Sequence, residues 1–267
     1  MDRGGKGEMR KIAVCGKGGS GKSVIVSLLA KGFREKGYRV LVVDSDESNM
    51  ELYRMLGFAH PPDPLINLVG GKAGVKEGIQ VKGSGYQVGV MSREEIMVAD
   101  IPAQYLVQEN GVRLVSIGKI LQFLEGCACP MGVLSREFLK RLRLEDDEVA
   151  VIDMEAGLEH FGRGVEEGID TLLMVVEPSF ESLKLAARIK SIAAEAGMER
   201  VWVVLNKIPS PDVEAALKSK LREGGLIVIG AVRYDAEIAL SSLEGVSVGG
   251  SKAEKDIEKV LERMLQS

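Results

Sequence analysis

The chain has 267 residues, 45% of them apolar but only 4% aromatic, and a formal net charge of −4. That length fits one large α/β domain, and the charge excludes a global basic field recruiting nucleic acid or anionic lipid. No apolar run is long enough to span a bilayer, and three cysteines suit thiol or metal chemistry in a reducing, cytoplasmic setting better than structural disulfides.

In chain order, Met1–Glu8 is a polar Gly/Lys tail expected to be disordered, with residues 9–267 forming a single domain. Residues 11–15 (KIAVC) predict a first strand, 21–35 a helix stopped at Gly37, and 39–43 (RVLVV) a second strand closed by Asp44. Strand, glycine loop, helix and strand make one βαβ unit, which requires a parallel sheet. A short helix is expected near 50–57, and the proline- and glycine-rich stretch 60–85 reads as loop. Strands are expected at 86–91 and 112–117, a helix at 135–144, and a strand at 149–152 ending on Asp153. Further strands at 171–176, 201–205 and 226–230 alternate with helical stretches. The last helix, 253–265, places Ile257, Val260, Leu261, Met264 and Leu265 on one face. The pattern predicts an α/β fold with one doubly wound, mostly parallel sheet.

The segment Gly16-Lys-Gly-Gly-Ser-Gly-Lys-Ser23 fits G-x-x-x-x-G-K-[ST] in the context that motif demands, between an apolar strand and a periodic helix. Gly16, Gly18, Gly19 and Gly21 let backbone N–H groups, with that of Ser20, curl around phosphates, and the following helix turns its positive end toward them. Lys22 is expected on the β- and γ-phosphates of ATP and the Ser23 hydroxyl on Mg²⁺. Asp44, Asp46 and Asp153 stand at or just beyond the carboxyl ends of strands, the edge where open α/β sheets bind ligands. Strand-end capping explains one such aspartate easily, but not three.

The additional Lys17 makes the loop resemble the deviant Walker A family, K-G-G-x-G-K-[ST], which includes septum-site and plasmid-partition ATPases, the arsenite pump ATPase and the nitrogenase iron protein. The resemblance implies a P-loop NTPase fold and a homodimer in which Lys17 reaches the partner's nucleotide. It also implies that Asp44 orders the Mg²⁺ shell, Asp46 in the first switch positions the attacking water, and Asp153 is the Walker B carboxylate holding Mg²⁺. Val24 and Glu47 depart from the usual hydroxyl residue and proline. Asn206-Lys207 resembles the family's base-contact pair, an asparagine amide offering donor and acceptor to adenine; a plain turn asparagine at a strand end is the alternative.

Cys127 and Cys129 lie between Gly126 and Pro130 and are expected on an exposed turn. Two thiolates fill only half of a four-coordinate soft-metal site, which a two-fold dimer would complete. The pair stands shortly before Asp153, and Ala156-Gly-Leu-Glu-His160 follows. With the P-loop, these features resemble the nickel-insertion accessory ATPases of carbon monoxide dehydrogenase, the CooC family. That resemblance implies Ni²⁺ or Zn²⁺ at the cysteine pair and an apo-metalloenzyme client; Glu155 is an added carboxylate in the second switch. An iron–sulfur cluster carrier is the competing expectation. A partitioning ATPase fits less well, because the last helix mixes Glu254, Asp256, Glu258 and Glu262 with Lys255, Lys259 and Arg263 on its polar face. His160 is expected to be structural and Cys15 a buried small hydrophobe.

Overall fold

The computed structural model describes residues 9–80, 89–119, 129–154, 168–244 and 252–266. An eight-stranded sheet carries the fold, in the order β10 (Ile227–Arg233), β9 (Val201–Ile208), β8 (Thr171–Val176), β1 (Lys11–Gly16), β7 (Glu148–Met154), β2 (Arg39–Ser45), β5 (Val112–Ser116), β4 (Val107–Glu109). Every pairing is parallel except that of edge strand β4 with β5. The expected doubly wound, mostly parallel sheet is therefore present.

Strand periodicity distributes the core. Along β1, Ile12 and Val14 enter one apolar layer while Ala13 and Cys15 enter the other, and β2 and β7 alternate in step. The first layer packs beneath α1 (Lys22–Glu35) and α9 (Lys252–Gln266). The second packs beneath α5 (Cys129–Arg141), α6 (Phe180–Glu195) and α7 (Pro211–Glu223). Of the expected apolar face of the last helix, Ile257, Val260, Leu261 and Met264 are buried, while Leu265 is 42% exposed. Gly32 lets α1 approach α9 closely, since a Cβ there would stand 2.2 Å from Leu261 Cδ1.

Four local expectations change. The short helix expected near 50–57 is present as α2 (Leu52–Met55), but the stretch 60–85 read as loop holds α3 (Leu65–Leu68) and α4 (Gly71–Gln80), with Val75 fully buried. Gly74 there serves close packing, not flexibility: a Cβ would collide with the Val69 carbonyl oxygen at 1.7 Å. Residues 89–92 form a 3₁₀ turn where a strand was expected, and its Met91 is buried in the second apolar layer. The helix expected at 135–144 runs from 129 to 141, because Pro130 suits a helix's first turn and Leu142–Arg143 leaves to pair, as β6, with β3 (Ile96–Met97). Cys129 thus opens a helix, not a turn. Cys127, Glu155, His160, the N-terminal tail and residues 86–88 of the expected strand 86–91 lie outside the described residues.

Candidate functional site

The carboxyl ends of the central strands form a polar edge of the sheet. Residues 16–21 connect β1 to α1, and two of their glycines are sterically obligatory. A Cβ on Gly16 would meet the Val175 carbonyl oxygen at 2.5 Å, and one on Gly21 would meet Asn206 Nδ2 at 2.3 Å, both at positive φ. The loop closes on itself through Ser20 N–H donating to the Lys17 carbonyl at 3.1 Å. Lys22 is 7% exposed at the first turn of α1.

β2 and β7 are neighbours in the sheet, and their register sets Asp44 directly opposite Asp153. The Ser23 hydroxyl donates to Asp153 Oδ2 at 2.6 Å and accepts from Asn49 Nδ2 at 2.7 Å. Burial pushes the Asp44 carboxyl up to about 6 against the opposing charge of Lys119, whose Nζ lies 2.6 Å from Asp44 Oδ2. Burial, with the Asp44 charge next, pushes Asp153 up to about 7 against the Ser23 hydrogen bond. Asp44 Oδ1 and Asp153 Oδ1 are both buried without a hydrogen-bond partner among the described residues. Orphaned carboxylate oxygens beside a hydroxyl form an oxygen-only donor set that suits Mg²⁺, so these residues fit the ion that P-loop chemistry requires.

Asp46 is buried just past β2, and its Oδ1 accepts from the Ser48 amide at 2.9 Å and the Ser48 hydroxyl at 2.6 Å. Asn206 and Lys207, at the end of β9, reach back to the phosphate loop: Asn206 Nδ2 donates to the Ser20 carbonyl at 2.8 Å and Lys207 Nζ to the Gly19 carbonyl at 2.5 Å. The pair therefore braces the loop. Lys17 forms an ion pair with Glu177 at 3.1 Å, and Lys207 stands 3.7 Å from the same carboxylate. Cys15 is fully buried, and burial pushes its thiol up to about 12, as expected of a packing residue.

A cavity of about 510 Å³ runs from the phosphate loop and Asp46 to a wall of Val232, Tyr234, Ile238 and Ala239, between β10 and α8 (Ala236–Glu244). Its polar end presents Gly18, Gly19, Gly21, Lys22 and Ser23, and its apolar end offers room for a flat ring beside Asn206. The structure thus gathers the phosphate loop 16–23, Asp44, Asp46, Asp153, Asn206 and Lys207 at one edge, while Cys129 opens α5. Sequence reasoning missed the 232–239 wall, Asn49, Glu177 and Lys119. Lys119 and Glu177 each carried a local signal, a charged residue just beyond a strand end.

The chain is similar to curated proteins along nearly its whole length. An uncharacterized ATP-binding protein of Methanocaldococcus jannaschii is 41% identical over 94% of this chain and 99% of its own. The carbon monoxide dehydrogenase accessory protein CooC of Rhodospirillum rubrum is 34% identical over 89% of this chain and 88% of its own. Among solved structures, the MinD cell division protein of Aquifex aeolicus superposes with a TM-score of 0.68 over 97% of both chains at 15% identity, a likeness of fold. Residues 11–248 match the CobQ/CobB/MinD/ParA nucleotide binding domain, and the chain belongs to that family of ATP-binding P-loop proteins.

Proposed function

We propose that the protein is a Mg²⁺-dependent ATPase that uses nucleotide-driven pairing of two copies to gather a soft metal ion, nickel foremost, and deliver it to an apo-metalloenzyme of the carbon monoxide dehydrogenase type. The observation that carries the ATPase half is the register pairing of Asp44 with Asp153 beside Ser23, which follows Lys22 in sequence: two buried carboxylates, each with an oxygen lacking a partner among the described residues. The phosphate loop binds the triphosphate through its backbone amides and Lys22; Ser23, Asp44 and Asp153 hold Mg²⁺, which neutralises charge on the phosphates. Asp46 accepts a hydrogen bond from the attacking water, whose oxygen bonds to the γ-phosphorus as the bond to the leaving ADP oxygen breaks. Asn206 and the 232–239 wall receive the base. Lys17, tied to Glu177 in one copy, turns to the nucleotide of the second.

The metal half is supported by the sequence Cys127-Ala-Cys129 and by the 34% identity with a protein named for carbon monoxide dehydrogenase. A partitioning role at a membrane is less consistent with α9, whose Ile257, Val260, Leu261 and Met264 are buried between α1 and β10 instead of facing lipid. The test is metal analysis with size-exclusion chromatography on anaerobically purified protein, with and without ATP. One nickel per two chains, strengthened by nucleotide and lost in the Cys127→Ser/Cys129→Ser variant, supports the reading; one metal per chain, or unchanged binding in the variant, refutes it. Broad visible absorption with bound iron would move the assignment to a cluster carrier.

A further inference from the structure

The 232–239 wall grows out of the edge of the sheet. Among the described strands β10 pairs with β9 alone, and its register against β9 shifts twice, between Val228 and Gly230 and between Ala231 and Arg233. Ladder bonds to one irregular neighbour hold the end of β10 weakly, just where the wall begins. Side chains of α9 supply the support that a second strand would give. Arg263 Nη1 donates to the Ile229 carbonyl at 2.7 Å, and the Arg233 amide donates to Asp256 Oδ2 at 3.2 Å. The Arg233 guanidinium adds two bonds to the same carboxylate, Nε to Oδ2 at 2.8 Å and Nη2 to Oδ1 at 2.9 Å. Lys259 Nζ stands 4.0 Å from Oδ1. Asp256 thus holds one residue by its main chain and by both arms of its side chain, in the bidentate geometry that fixes orientation as well as distance.

The Asp256 side chain is 6% exposed and that of Arg233 53% exposed. Arg233 lines both the cavity beside the phosphate loop and a second one of about 250 Å³, in which Asp256 stands. Asp256 therefore acts on the wall from behind. A second carboxylate ties the wall to the same helix: Asp235 Oδ1 accepts from the Glu237 amide in the first turn of α8, and Oδ2 accepts from the Lys252 amide that opens α9, both at 3.0 Å. Helix α9 is in turn fixed to the phosphate end. Leu261 fills the space beside Gly32 of α1, Val260 packs over Gly230 of β10, and Glu254 pairs with Lys31 of α1. Since α1 begins at Lys22 and Ser23, one rigid helix spans from the element that carries the phosphate-binding groups to the wall at the other end of the cavity.

We infer that Asp256, through its three bonds to Arg233, is a positioning residue that holds the 232–239 wall at a fixed place relative to the phosphate loop, so that both ends of the cavity engage one nucleotide together. This rests on the reading above in which the wall receives the base. Its signature is selective: loss of Asp256 weakens the grip on the base and leaves the grip on the phosphates intact.

The test uses full-length wild-type, Asp256→Ala and Asp256→Asn proteins. Removing the carboxylate leaves a guanidinium that water already reaches, so the fold tolerates the change. Calorimetry gives the Kd of a non-hydrolysable ATP analogue and of inorganic tripolyphosphate, each with Mg²⁺, and kcat and KM for ATP are measured alongside. In Asp256→Ala the Kd of the analogue rises by about 10-fold, as for a wall in place about one-tenth of the time, while that of tripolyphosphate is unchanged. KM for ATP rises in step and kcat holds. Asp256→Asn, which keeps an acceptor for Arg233, shows a smaller rise of about 3-fold and decides the matter if the alanine variant does not fold. An equal loss for both ligands marks general destabilisation and overturns the inference, as does an unchanged Kd for the analogue in every variant that folds; either result leaves the ATPase reading standing. A wild type that binds neither ligand overturns the ATPase reading and the inference with it.

Discussion

The two ends of the same parallel strands are built on opposite electrostatic terms. At the amino end charges are matched: Arg39 pairs with Asp147 at 2.6 Å and with Glu145, Arg113 donates to the buried Glu148 at 2.9 Å, and the Asp170 carboxylate accepts from the amides of Arg10 and Lys11. At the carboxyl end Asp44 and Asp153 are buried at paired positions, each with an oxygen that no group among the described residues satisfies. Similar residue types thus serve two purposes. The amino end holds charge that is already neutralised, whereas the carboxyl end holds charge awaiting a cation and a phosphate, at a cost to the empty fold.

Three substitutions break this contrast most sharply. Lys22→Ala removes the buried cation of the phosphate loop and is expected to abolish ATP hydrolysis, a loss on the order of 10³-fold or more in kcat/KM, with little change in thermal stability; wild-type turnover would refute the loop's role. Asp153→Asn keeps an acceptor for Ser23 but removes a charge that burial disfavours. Hydrolysis should fall by about 100-fold while the melting temperature of the nucleotide-free protein rises by several degrees. The sign follows from the raised carboxyl: the fold binds a proton that the unfolded chain has released between the ordinary 3.8 and about 7, so wild-type stability from this group falls as pH rises through that window. The variant's advantage should therefore be larger at pH 8 than at pH 5, and calorimetry at the two pH values checks it. Glu148→Gln, at the matched end, should do the reverse. Leaving Arg113 without its anion costs about 3 kcal/mol, or a fall of roughly 6–12 °C in melting temperature, with ATP binding retained.

The contrast also explains which parts of the protein could be foreseen. Lys22, Ser23, Asp44 and Asp153 were legible because each stands at a fixed offset from a strand end or inside one continuous motif, so local pattern and chemistry coincide. Glu177 and Lys119 were not, since their meaning depends on partners 160 and 70–75 positions away, brought near only by sheet order. Asn206 was seen as a base contact, and its bond to the Ser20 carbonyl became visible only once β9 and the phosphate loop were set side by side. Helix α4 was hidden for a different reason. Its glycines resemble loop punctuation, but Gly74 is required by the Val69 carbonyl against which the helix packs.

The smallest expected effect lies at the matched end, where one cation is less well served. Lys11 opens β1, and its Nζ donates to the Leu139 carbonyl at 2.8 Å. Burial pushes its ammonium down to about 8 despite the raising influence of Asp170, and the charge of Arg143 lowers it further. Between about 8 and the ordinary 10.5 the unfolded chain holds a proton that the fold has released, so this group's contribution to stability rises with pH across that window. The direction is opposite to that of Asp153, although both shifts arise from burial, because burial disfavours the charged form of either group. Lys11→Met lacks the titration, and other lysines and tyrosines titrate alike in both proteins. The difference in melting temperature, wild type minus variant, should therefore move in favour of the wild type by about 2 °C from pH 7.5 to pH 9.5. A difference that stays flat across that range would show that the Lys11 ammonium is not held in a low-dielectric setting, and that the amino end of the sheet is matched at this position as well.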